Sequence, residues 1–183
     1  MDRRKVQQCF AGLDYDFTAF DIDHFIVYVQ QLRQRPIISQ SFPFSAGISG
    51  LWLEMATVDF IIYQSRTHPI HQTHIRLHEV AHMLLDHPRQ PIRDSLPAEM
   101  LRELTAAGTP SQTMRGHLRM REVNRRCNAF EEEAEYFVEL LQRRVVKADR
   151  LSELTRTGTS IRSLARYVDG LPYAAKYPDD LQK

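Results

Sequence analysis

Apolar residues recur at helical spacing in three parts of this chain. Leu77, Ala81, Leu84 and Leu85 form one stripe and predict a helix over about 73–87. Phe130, Ala134, Phe137 and Leu141 form a second and predict a helix over about 122–146. Phe25, Val29 and Leu32 supply the apolar face of an earlier helix over about 18–34, which Asp21 or Thr18 can cap. Two short strands are predicted near 50–55 and 58–64, the second carrying Phe60, Ile61 and Ile62. The region around Pro36 and Pro43 reads as a loop.

The rest of the chain is less regular. Residues 88–122 are rich in Pro, Gly, Ser, Thr and Arg and hold one short predicted helix at 97–106. They read as a mobile insertion near the cleft or as a substrate lid. The domain expectation is therefore a body over 1–147 and a helical tail over 148–183, with a helix near 159–168 in that tail.

Polar residues inside the first stripe carry chemistry. His78-Glu79-Val80-Ala81-His82 reads H-E-x-x-H. Residues four apart on a helix lie about 40° apart on one face, so both imidazoles can point at one metal ion. Glu79 is offset by about 100° from His78, which suits a base acting on a water at that metal. An amphipathic helix with these polar residues on its wet face accounts for the same run, so a third ligand has to decide.

His87 lies nine residues after His78, about 180° around a continuous helix. It is expected to face away from the metal and to meet the last helix carbonyls, with Pro88 marking the helix end. His71 and His74 share the face of His78, but His74 and His82 are about 12 Å apart along the axis, too far to bind one ion together with His78. Glu131 and Glu135 are the better source. They sit four apart on a stripe of the second helix, interleaved with apolar residues. One can bind the metal while the other holds a ligating imidazole through its second nitrogen.

The two segments together resemble the ImmA/IrrE family of metallopeptidases, whose pattern is H-E-[LIV]-[GA]-H-x-[LIV]-L followed by E-x-x-A-[NDE]-x-F-A-x-x-L-L. Here they read His78-Glu79-Val80-Ala81-His82-Met83-Leu84-Leu85 and Glu131-Glu132-Glu133-Ala134-Glu135-Tyr136-Phe137-Val138-Glu139-Leu140-Leu141, with Val138 in place of the usual Ala. Gly50-Leu51-Trp52-Leu53-Glu54 and Val58-Asp59-Phe60-Ile61-Ile62-Tyr63 look like the strand pair that precedes the zinc helix. Arg35-Pro36-Ile37 also looks like a family segment, and the similarity covers roughly residues 18–145.

The resemblance implies an α+β, zincin-like fold, with a small antiparallel or mixed sheet packed on the H-E-x-x-H helix. It implies zinc held by His78, His82 and Glu131, with Glu133 an alternative ligand, Glu79 as base and Glu135 orienting a ligating His. Tyr63, His74 and His71 are candidates for substrate or oxyanion contacts, and the strand near 58–64 is expected to align substrate by edge pairing. The implied activity is cleavage of a partner regulatory protein, a helix-turn-helix repressor or antitoxin, as relatives often sit beside one. The alternative is a toxin-like or regulatory zinc module acting by binding alone.

Composition narrows the partners. A net charge of +1 gives no electrostatic footprint for nucleic acid, and the basic residues Arg119, Arg121 and Arg125 read as a solvated face. Cys9 and Cys127 make neither a disulfide framework nor a thiolate site. The start Met1-Asp2-Arg3-Arg4-Lys5 leads into Val6, Gln7 and Gln8, not a signal-peptide core, and no apolar run approaches the roughly 20 residues of a membrane span. A cytoplasmic location is the expectation.

Overall fold

The structure, a computed structural model, describes residues 1–44, 47–91, 98, 115–120 and 128–156. They belong to two compact units: residues 1–15 with 21–141, and residues 16–20 with 142–183. The first holds α1 (Arg3–Ala11), α2 (Ile22–Arg33), β1 (Ile37–Phe42), β2 (Ile48–Glu54), β3 (Asp59–Gln64), α3 (Pro69–Leu84), β4 (Gln90–Pro91) and β5 (Arg115–Met120). It also holds the first half of α4 (Asn128–Arg156). In the second unit Asp16 turns the chain by accepting the Thr18 N–H at 2.9 Å, which holds its carboxyl below the usual range.

The fold is α+β. The described strands form one mixed sheet in the order β1-β3-β2-β5-β4. β1 runs parallel to β3, and the other pairs are antiparallel. Alternation along the strands splits the sheet into two faces. Gly50 and Trp52 on β2 pair with Tyr63 and Ile61 on β3, and this face meets α3. Leu51, Leu53 and Ile62 point the other way, into a cluster with Phe42, Phe44 and Met55.

Helix α3 is the centre of the unit. Pro69 stands in its first turn, where no intrahelical N–H is needed, and His68 caps it by accepting the Ile70 N–H at 3.3 Å. Every residue from Ile75 to Met83 is buried. Burial of Ile75, Leu77, Val80 and Met83, roughly 1.5–3 kcal/mol for each side chain, offsets the desolvation of the polar residues between them. Arg76 leaves this core on the opposite side of the helix from His78, donating to Ser39 Oγ at 3.0 Å and to the Asp23 carboxylate.

Several elements differ from the sequence reading. α2 starts at Ile22, capped by Asp21, which accepts the His24 N–H at 2.8 Å. Phe25 and Val29 are buried, but Leu32 is 53% exposed and is not part of the apolar face. The Pro36–Pro43 region is the edge strand β1, not a loop; its pairing with distant β3 has no local signature. α1 was not anticipated: its apolar stripe, Val6, Cys9 and Phe10, is short and has only Val6 fully buried. α3 begins four residues earlier than predicted and ends at Leu84, and α4 continues past 146 to Arg156.

β3 lies between β1 and β2, so its edges are taken and it cannot align substrate by edge pairing. Part of the expected insertion at 88–122 is built into the sheet, as β4 and β5. Residues 92–114 and 121–122 of that span, the helices predicted at 97–106 and 159–168, the predicted start of α4 at 122 and Cys127 lie outside the described residues, apart from Ala98.

Candidate metal centre

Helices α3 and α4 bring three ligand-type residues to one point. His78 and His82 lie one turn apart on α3 and are fully buried. Their Nε2 atoms are 3.0 Å apart. Glu131, in the first turn of α4, places Oε2 3.1 Å from His78 Nε2 and Oε1 3.5 Å from His82 Nε2. His78, His82 and Glu131 are the one group of three among the described residues whose donor atoms converge in this way.

The donor set fits a divalent metal. Two imidazole nitrogens and a carboxylate oxygen at about 2.0–2.1 Å from a tetrahedral ion would be about 3.3 Å from one another, close to the observed spacings. Electron-pair donors aimed at each other in a buried site repel unless a cation or proton lies between them.

The outer nitrogens of both rings are engaged. His78 Nδ1 lies 3.0 Å from Glu135 Oε1, and the other oxygen of Glu135 lies 3.3 Å from His74 Nε2. Glu135 thus lies between the two imidazoles, and His74, with its side chain 28% exposed, reaches the centre through it. His71 sits against Thr67 Oγ1 at 2.9 Å, at the far start of the helix. Tyr63 is not brought to the centre: its ring lies under the Arg76 guanidinium, 5.2 Å from the centroid, on the other side of α3.

His87 does not face away. α3 stops at Leu85, Asp86 takes a left-handed conformation with φ 49°, and the His87 N–H bonds back to the His82 carbonyl at 3.1 Å. The ring is fully buried, with Nδ1 2.8 Å from His82 Nδ1 and Nε2 3.2 Å from Glu133 Oε2. Burial pushes the His87 imidazole below its ordinary pKa, against the opposing pull of Glu133, and favours the neutral ring. Glu133, read as an alternative ligand, therefore faces His87 and not the three converging donors. The available clue was Asp86, since Asp tolerates left-handed backbone and can break a helix there.

Glu79 is fully buried beside this group. Its carboxylate lies against the backbone of β2 at Gly50: a Cβ built there would be 2.8 Å from Glu79 Oε1 and 2.5 Å from Ile75 Cγ2. A glycine inside an apolar strand is the sequence mark of such close approach. A cleft of about 500 Å³ adjoins the centre, lined by Met1, Arg3, Tyr136 and four glutamates of α4 that include Glu131 and Glu135.

No family model, curated protein or solved structure gives a significant match to this chain. Among the described residues, no helix is long and apolar enough to cross a membrane.

Proposed function

We propose that this chain is a zinc-dependent metalloendopeptidase with a zincin-like fold, related to the ImmA/IrrE family, whose substrate is a helix-turn-helix repressor or antitoxin. The observation that carries this reading is the convergence of His78, His82 and Glu131; the buried Glu79 that follows His78 is a carboxylate that a purely structural metal site does not need. The N, N, O donor set suits zinc, with a position left open for substrate.

His78 and His82 Nε2 and the Glu131 carboxylate hold the metal, and Glu135 fixes the His78 ring. Zinc held there would supply Lewis acidity toward a peptide carbonyl and a water. Glu79 takes the proton of the attacking water and returns it to the leaving amine. Its burial against Gly50 keeps the carboxylate in one place. The cleft beside Glu131 and Glu135 is the side from which a polypeptide reaches the centre.

Glu79→Gln separates this enzyme from a module that acts by binding alone. The variant keeps the ligands, so metal content should match wild type. Cleavage of the regulator encoded beside it should fall by about 10²–10⁴-fold, the usual contribution of general acid–base catalysis. Discrete fragments on a gel are the readout. Equal inactivation of the regulator by both proteins, without fragments, replaces the peptidase with the binding module.

A further inference from the structure

The buried polar atoms behind His82 form a chain that ends at the Glu133 side chain. His82 Nδ1 meets His87 Nδ1 at 2.8 Å, and His87 Nε2 meets Glu133 Oε2 at 3.2 Å. The other oxygen of Glu133 accepts the Asp2 N–H at 2.6 Å. Asp2 is itself held as the N-cap of α1, whose Lys5 Nζ donates to the Leu85 carbonyl at 2.7 Å. His82 and His87 are fully buried and Glu133 is 6% exposed, so water does not compete freely for these contacts.

The proton positions along this chain are determined by its end. A carboxylate whose two oxygens both accept has nothing to donate, so His87 must present Nε2–H to it. A neutral His87 protonated at Nε2 has a bare Nδ1. At 2.8 Å one of the two facing Nδ1 atoms must donate, and only His82 is left to do so. His82 protonated at Nδ1 carries no proton on Nε2, and that is the atom facing His78 and Glu131.

We infer that His87 and Glu133 are positioning residues that hold His82 in its metal-ligating tautomer. This inference rests on the metal-centre reading for its consequence, though not for its geometry. Glu133→Gln is the sharp variant. Its amide has one acceptor for two donors, and its NH2 can donate to His87 Nε2. His87 would then carry its proton on Nδ1, give it to His82 Nδ1, and force His82 into the Nε2–H form that cannot bind metal.

The test uses the full chain and two readouts. Competition with a chromophoric chelator for Zn²⁺ should show a loss of about 10–100-fold in affinity for Glu133→Gln and for His87→Phe, the usual cost of removing such a partner. Imidazole ¹⁵N NMR of the metal-free wild type should show His82 neutral with its proton on Nδ1, and Glu133→Gln should move that proton to Nε2. A wild type whose His82 carries its proton on Nε2 overturns the inference, even if neither variant folds. So does a folded Glu133→Gln that binds zinc as wild type does. A wild type with His82 protonated on Nδ1 that takes up no zinc supports the relay and rejects the metal centre.

Discussion

Single atoms decide the chemistry of this site, and two residues test that directly. Glu135 spans His78 Nδ1 and His74 Nε2. Removing it in Glu135→Ala leaves a buried imidazole without its acceptor, and metal affinity should fall by roughly 10–100-fold in a chelator competition. Wild-type affinity would remove Glu135 from the centre. Gly50 is the other test. A methyl group there would press on Ile75 and on the carboxylate of Glu79. Gly50→Ala should cost about 1–3 kcal/mol in chemical denaturation, the usual penalty for overfilling a packed core. On the proposed mechanism it should also lower substrate cleavage while zinc content stays constant, because the residue displaced is the proposed base and not a proposed ligand.

At the scale of elements, the end of α3 matters as much as its middle. The turn at Asp86 reverses the chain so that His87 meets His82, and Asp is one of the few side chains that accepts its positive φ. Asp86→Val puts a β-branched residue in that conformation, at a cost of about 1–2 kcal/mol. Thermal unfolding should show the loss, and zinc affinity should fall with it as His87 leaves its place. Asp86→Gly removes the steric conflict and should keep wild-type affinity. If both variants bind zinc equally well, the turn does not serve the centre. α1 meets the same end of α3: Cys9 Sγ approaches the Leu84 carbonyl at 3.5 Å, and burial pushes that thiol up.

The three candidate ligands come from two helices, and His82 and Glu131 lie 49 positions apart in the chain. A metal ion that binds all three therefore ties α3 to α4 and stabilises the folded state over the unfolded chain. With free zinc at about 100 times Kd the gain is about 2.7 kcal/mol. For a chain of this size that is roughly 5–10 °C in Tm. Calorimetry with and without a chelator should show this shift in wild type and none in His82→Ala. Elemental analysis should give about one zinc per chain, in line with the one converging donor group among the described residues.

The sequence by itself determined what repeats locally. The periodicity of Leu77, Ala81 and Leu85 and of Ala134, Phe137 and Leu141 specified two core helices, because a buried stripe has to recur every three to four residues. The four-residue spacing of His78 and His82 put both rings on one side for the same geometric reason, and the interleaved glutamates marked α4 as the source of a carboxylate. Only the tertiary structure decided the rest. Whether Glu131, Glu133 or Glu135 faces the imidazoles depends on how α4 docks on α3, and no local pattern encodes that. β1 escaped notice because parallel pairing joins residues more than twenty positions apart. His87 was misplaced because extending a helix in register assumes that it continues, and one left-handed residue at Asp86 ended it.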